Sequence, residues 1–379
     1  MDFDKVICRK NTASIKWKRY PEDVIPMWVA DMDFAAPECV QRAIKEVTDH
    51  AVYGYSVPGK DLIAAVCKYL KKSYDWEVAA SSIVWLPGVV SALNIACRAY
   101  TKNGDDIMTA KPIYAPFMEA PLNAGRSIKA VALKESAQAY EMDFDAMKKA
   151  VSPKTKLYLL CNPHNPVGRV YSQQELRKLA AFCADNDMVI CSDEIHCDLI
   201  LDLQKKHFPI ASLSKEIEKR CITLMAPSKT YNLAGLGFAF AVIPNWKLRK
   251  KFIRTMRGIV PYPNQIGLRA GQAAYVEGES WRLELVEYLR GNRQLIDEYL
   301  KENIAKIKYR PGEASYLAWL DVRQLKLENP FDFFLKNGVA FSKGEEFHCK
   351  GFLRMNFGCS RSVLKTALQR MKSAVQSIR

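Results

Sequence analysis

The chain has 379 residues, 49% of them apolar and 26% charged, enough for two units with a sizeable core and typical of a folded globular protein. No apolar run approaches the length that spans a bilayer, and the opening MDFDKVICRKNT has no apolar secretory segment, so the expected place is the cytoplasm. The formal charge of +15 is spread over helical stretches such as 247–251 and 301–308 without arginine-rich runs, which reads as solvated helix faces and not as a nucleic-acid or membrane surface.

Residues 1–36 carry little helical period and are rich in Trp, Pro and Asp, so an ordered arm is expected there. Helical spacing covers 37–49 and 60–73, with the aromatic loop YGYSVPG between them. From about 88 to 243 helices and strands alternate. GVVSALNIACRAY reads as a helix, IMTA as a strand, the stretch after Tyr114 as a helix, SIKAVAL as a strand and MDFDAMKKAV as a helix. TKLYLLC is a strand and SQQELRKLAAFCADND a helix; MVICSD, CITLM and FAFAVI are strands. This alternation predicts an α/β architecture, a mostly parallel sheet covered by helices on both faces.

After Pro244 the helices lengthen, over 246–257 and 278–303. YLAWLDV, a helix at 330–337, GVAFS, FLRMNFG and a last helix to Arg379 follow, an α+β ending suited to a smaller second domain. The expected division is an arm over 1–45 joining the small domain, a large domain over 46–275 and a small domain over 276–379. The cysteines are scattered with no C-x-x-C pair and read as reduced thiols, and the scattered histidines offer no metal-ligand cluster.

Several strand and helix ends carry unusual residues. Lys229 stands on the loop beyond the apolar run 221–225, and open α/β sheets place ligands outside the carboxyl ends of their strands. Apolar surroundings there ease loss of the lysine proton and make a nucleophile; a solvated surface lysine is the plain alternative. LPGVVSAL opens a helix on a Pro-Gly turn and leaves the amides of Val89 and Val90 at its positive end, a place for a phosphate, although most helices begun at glycine bind nothing. In CNPHNPVG two Asn-Pro steps fix Asn165 as an amide donor, or serve only as a rigid turn. CSDEIHCDL delivers Asp193 to a strand end, where a carboxylate must face a cation or donor or else cap a helix, and His196 follows three residues on. Arg354, inside the apolar strand of FLRMNFGCSR, suits a substrate carboxylate, with an internal ion pair as the alternative. A lysine for a Schiff base, an aspartate for a pyridinium nitrogen, a helix N-terminus for a phosphate and an arginine for a carboxylate form the kit for pyridoxal 5'-phosphate (PLP).

NPHNPVG, SDEIH and SKTYNLAGL stand in their usual order for the fold-type I PLP enzymes of the aspartate aminotransferase superfamily, which the sequence resembles through nearly its whole length. Within it, PMWVADMDF (26–34), YGYS (53–56), LPGVVSAL, YAPF (114–117), SDEIHCDL, SKTYNLAGL and LRMNFGCSR are similar to motifs of the MalY–PatB group of cystathionine β-lyases. WVADMDF is the most specific, since general aminotransferases lack it.

The resemblance implies the fold-type I transferase fold, a large domain with a mostly parallel sheet sandwiched by helices plus a smaller α+β domain. It implies that Lys229 carries the cofactor and then acts as general base, that Asp193 pairs with the pyridine nitrogen, and that Asn165 hydrogen-bonds the phenolic oxygen. His196 occupies a place where many relatives carry tyrosine, Tyr114 stacks on the ring, and Val89, Val90 and Ser228 hold the phosphate. Tyr55 would reach a neighbour's phosphate across a symmetric homodimer. Arg354 would grip the substrate α-carboxylate, and Trp28, Ala30 and Asp31 would line the substrate side. Two positions depart from the broad superfamily pattern: Ala226 replaces a phosphate-binding Ser, and Gly237 replaces a frequent Arg that the lyase group also lacks. The implied activity is β-elimination of L-cystathionine or a related S-substituted L-cysteine to a thiol (homocysteine), pyruvate and ammonia, as in methionine biosynthesis. Transamination of a small amino acid is the alternative, and a cofactor-binding regulator a more distant one.

Overall fold

The structure, a computed structural model, describes residues 1–136 and 139–378. Its centre is a seven-stranded sheet. In chain order the strands are β1 (Ile83–Leu86), β2 (Asp106–Lys111), β3 (Ser127–Ala132), β4 (Thr155–Cys161), β5 (Val189–Asp193), β6 (Cys221–Met225) and β7 (Ala239–Val242). Across the sheet they run β3-β2-β4-β5-β6-β7-β1. All point the same way except β7, which pairs antiparallel with both neighbours.

The apolar sequence of the central strands follows from this placement, because helices cover both faces of the sheet and leave neither for water. On β4, Leu157, Leu159 and Cys161 enter one core while Tyr158 and Leu160 enter the core on the other face, the period of two that a pleated strand imposes. The strands and helices expected between 88 and 243 form within a residue or two of their expected bounds. Strand β1 was not expected. Its four residues, IVWL, run straight into the Pro-Gly turn and give too short a pattern to distinguish from the start of the next helix.

A second, four-stranded antiparallel sheet is built from β8 (Lys308–Tyr309), β9 (Leu317–Asp321), β10 (Ser342–Lys343) and β11 (Phe352–Asn356), in the order β8-β9-β11-β10. The long helix Glu279–Asn303 and the last helix, Arg361–Gln376, pack beside it; Arg379, the expected end of that helix, lies outside the described residues. GVAFS splits: Val339–Ala340 pairs with Ile25–Pro26, and Ser342–Lys343 joins the four-stranded sheet. The N-terminal arm is thereby sewn to the far end of the chain, and its Phe3, Met27, Met32 and Phe34 share a core with Leu285, Leu289, Phe334 and Met371.

A helix at Gln265–Glu277 was also unexpected, since its two glycines and small side chains blur the helical period. The glycines serve packing. A Cβ on Gly271 would lie 2.4 Å from the Phe238 ring, so only glycine lets the helix approach. Among the described residues no helix is long and apolar enough to cross a membrane.

Candidate active site

Four carboxyl ends converge on one cavity of about 430 Å³. β5 ends at Asp193, and β6 ends four residues before Lys229. β4 ends four residues before Asn165. β1 leads through Pro87 and Gly88 into the helix Val89–Tyr100. From the second sheet β11 contributes Arg354, and the arm contributes Trp28 and Ala30. The cavity therefore lies at strand ends, where open α/β sheets bind ligands.

The Lys229 amine donates to the Ala30 carbonyl at 2.7 Å, and that carbonyl also accepts from the Tyr316 hydroxyl at 3.0 Å. Burial, seconded by the Arg354 cation, pushes the Lys229 pKa down to about 8; Asp31 and Asp193 oppose the fall. Asp193 accepts the Ile195 amide at 3.1 Å but has no ion pair among the described residues. Burial pushes its carboxyl up to about 7, against the Ile195 amide and Lys229. His196 is buried, shares a hydrogen bond of 3.1 Å with the Ser315 hydroxyl, and is held neutral, its pKa down at about 3, by burial and by the cations Lys229 and Arg354.

Arg354 is 4% exposed on the all-buried strand β11. Its guanidinium donates to Asn165 Oδ1 (3.2 Å), the Trp28 carbonyl (2.9 Å) and Ser342 Oγ (3.2 Å) and stacks on Phe347. Its Nε has no partner, and no carboxylate pairs with it among the described residues, so the internal ion pair considered from sequence is not formed. At the opposite wall Ala92 is the first residue to donate back into the helix Val89–Tyr100, bonding the Gly88 carbonyl. The amides of Val89, Val90 and Ser91 thus begin the helix without intrahelical acceptors, at its positive end.

Of the residues singled out from sequence, Trp28, Ala30, Val89, Val90, Tyr114, Asn165, Asp193, His196, Ser228, Lys229 and Arg354 all line this cavity, as does Ala226. Asp31 does not. It pairs with Arg9 at 2.8 Å and faces a separate cavity behind Lys229, because the irregular ribbon around WVADMDF turns its carboxylate toward the arm. Tyr55 stands fully exposed in a surface groove with Tyr53, Pro261 and Tyr262, outside the cavity of its own chain. Asn165, expected as a donor, offers its Oδ1 to Arg354. His164, between the two Asn-Pro steps, is structural: its ring bonds the Pro112 carbonyl (2.8 Å) and the Tyr171 hydroxyl (3.0 Å). Sequence reasoning missed Tyr316, Ser342, Glu346 and Phe347. They come from short strands and turns of the second sheet that carry no local signal beyond their nearness to FLRMNFG.

The sequence profile of the family described as aminotransferase class I and II matches residues 22–371. The chain belongs to that family. Cystathionine β-lyase PatB of Bacillus subtilis (strain 168) is 38% identical over 391 residues, covering 99% of this chain and 100% of PatB. The resemblance to the MalY–PatB group read from the motifs is therefore borne out. The crystal structure of OvoB superposes with a TM-score of 0.97 at 41% identity over 100% of both chains. The PLP-bound C–S lyase from Staphylococcus hominis superposes with a TM-score of 0.93 at 33% identity, over 99% of this chain and 98% of that one. This aminotransferase-family chain accordingly has the fold-type I architecture, with its mostly parallel sheet between helices.

Proposed function

We propose that the chain is a PLP-dependent carbon–sulfur β-lyase, cleaving L-cystathionine or a related S-substituted L-cysteine to a thiol, pyruvate and ammonia. The observation that carries this reading is the meeting of Lys229, Asp193 and Arg354 on one cavity, each buried or half-buried and none ion-paired among the described residues. Charges without an ion-pair partner are costly in a folded interior, so three of them around one space argue for a ligand that pairs with them.

The residues present fit the cofactor. The amides at the start of Val89–Tyr100 and the Ser228 hydroxyl would hold its phosphate, Asp193 its ring nitrogen, Tyr114 its ring face and Lys229 its aldehyde carbon. When bound, PLP supplies an electron sink for the pair released at the substrate Cα. Lys229, with its pKa near 8, can exist as the neutral amine close to neutral pH and takes the Cα proton as general base. Arg354 keeps its charge at neutral pH although burial pushes its pKa down to about 10, and it orients the substrate through the α-carboxylate. His196, neutral and fixed by Ser315, lines the same cavity as Asp193 without adding charge. With a thiolate at Cβ, loss of the Cα proton is followed by departure of that thiolate.

The enzyme acts as a symmetric homodimer in the cytoplasm. Support for the dimer is the exposed aromatic groove at Tyr53, Tyr55 and Tyr262, outside the chain's own cavity, from which Tyr55 would reach a partner's phosphate site. The test is an absorbance spectrum of the purified protein before and after L-cystathionine, with pyruvate and free thiol assayed in the same sample. A band near ~420 nm, expected for a lysine-linked cofactor, together with pyruvate and thiol and no added 2-oxo acid, supports the lyase. Bleaching of the band without pyruvate would mean transamination instead, and no band even with added PLP would refute the reading.

A further inference from the structure

Two charges in and beside the cavity wall are not used by the chemistry at its floor. Glu346 lines the cavity, is exposed, and makes no hydrogen bond or ion pair among the described residues. It is not a loose side chain on a mobile loop. It sits on the turn Gly344–Phe347, whose first residue is packed so closely that a Cβ there would lie 2.2 Å from the Cys349 carbonyl oxygen. The last residue of the turn, Phe347, is stacked under Arg354 and accepts the Ile113 amide through its carbonyl. Glu346 is therefore held at a fixed height above the carboxylate-binding arginine.

Arg19 supplies the second charge. Its guanidinium lies over the indole of Trp28, at 4.8 Å from the ring centroid, and over Tyr20 at 5.9 Å. Trp28 is a wall of the cavity, so Arg19, itself outside the lining, lies one ring away from it on the arm. Tyr20 lies within the field of both groups: burial raises the pKa of its hydroxyl most, Arg19 lowers it and Glu346 adds to the rise. Yet Glu346 and Arg19 do not pair with each other. A carboxylate in the cavity lining and a guanidinium over its Trp28 wall are thus left unpaired with each other, each with capacity for a partner of opposite sign.

A substrate whose α-carboxylate is held by Arg354 has to run its sulfur substituent outward past Trp28 and Glu346. A lone cation there would select anionic substituents, and a lone carboxylate cationic ones. Both together match a group carrying an ammonium and a carboxylate on one carbon. We propose that Glu346 and Arg19 form a distal subsite that selects S-substituted cysteines ending in a second zwitterionic amino-acid head. Glu346 takes its ammonium and Arg19 its carboxylate. This deepens, and rests on, the β-lyase reading.

The test compares four thioethers on the holoenzyme: L-cystathionine, with both distal charges; S-(2-aminoethyl)-L-cysteine, with the ammonium only; S-(2-carboxyethyl)-L-cysteine, with the carboxylate only; and S-ethyl-L-cysteine, with neither. Glu346→Gln should raise KM roughly fivefold for the first two, the scale of one solvent-exposed charge pair, and leave kcat and the neutral substrate unchanged. Arg19→Gln should do the same for cystathionine and the carboxyethyl compound. An equal loss on all four substrates, or an unchanged KM for cystathionine in both variants, overturns the subsite. If S-ethyl-L-cysteine is cleaved while neither variant discriminates, the subsite alone fails. If the wild type releases pyruvate and thiol from none of the four, the lyase reading fails and takes the subsite with it.

Discussion

Replacing Arg354 by lysine keeps the positive charge and removes the fork, which makes it a sharp probe of the carboxylate grip. A guanidinium has five N–H donors. In the structure three contacts are spent inside the protein, on Asn165, the Trp28 carbonyl and Ser342, and the Nε has no partner. Two donors therefore stay free, Nε–H and one on Nη1, but they point to opposite sides of the guanidinium, so a two-pronged carboxylate contact pairs Nη1 with Nη2 and displaces the Trp28 or Ser342 contact. A lysine ammonium has three donors, and the same three acceptors would consume them. The variant should lose two charge-assisted hydrogen bonds, each worth at least ~1.5 kcal/mol. About 3 kcal/mol corresponds to a fall of roughly 150-fold in kcat/KM. The assay is pyruvate release at low substrate, with cofactor occupancy checked by absorbance so that loss of PLP is not mistaken for loss of substrate binding. The methyl ester of S-ethyl-L-cysteine, which has no carboxylate to grip, should suffer much less from the substitution than the free acid. An Arg354→Lys enzyme within about threefold of wild type on the free acid would refute the assignment.

Other outcomes follow from the same geometry. Burial disfavours the Lys229 cation, so with its pKa near 8 the neutral amine makes up about one-tenth of the population at pH 7 and nine-tenths at pH 9. Reloading of stripped protein with PLP should therefore accelerate about tenfold over that range and level off, whereas a solvated lysine would still be gaining at pH 9, by roughly 100-fold in all; Lys229→Ala should abolish pyruvate formation. Gly271→Ala drives a Cβ into the Phe238 ring, which lines the cavity, and should cost about 1–3 kcal/mol in denaturant unfolding and weaken PLP binding; unchanged stability would show that the helix Gln265–Glu277 can shift freely. Tyr55→Phe should weaken PLP binding in a protein that is still dimeric by light scattering, and unchanged affinity would remove the cross-subunit role.

Much of the site was legible because its residues sit at the ends of apolar strands. Runs such as CITLM and MVICSD announce themselves by composition, and the polar residue that follows, Lys229 or Asp193, then has only one place to be. Strand β1 and the helix Gln265–Glu277 were hidden for opposite reasons, the first too short to show a period and the second too rich in small residues to show a face. The ribbon from Trp28 to Phe34 has no period at all, so sequence could not say that Ala30 turns to the cavity while Asp31 turns to Arg9. Asn232 decides that: its side chain accepts the Met32 amide and donates to the carbonyls of Met32 and Phe34, contacts some 200 positions apart in the chain. Glu346 and Tyr316 enter the site through tertiary pairing of the second sheet, which no local pattern reports.

The pairing of the arm with Val339–Ala340 and Asn356 also sets an order of assembly. Met27 donates its amide to Ala340 and accepts from Asn356, and Asp33 donates to Gly358. During synthesis the arm emerges first, yet these partners are translated more than 300 positions later. Its apolar Met27, Met32 and Phe34 must wait uncovered on the ribosome while the large sheet is made. A chain stopped before residue 339 can complete the seven strands but lacks Val339–Ala340, Arg354 and Asn356, so its arm keeps the Asn232 anchor and loses the strand pairing beyond it. The cavity around Lys229 thus gains its full lining, Trp28 and Ala30 from one end and Arg354 from the other, only when both ends of the polypeptide have met.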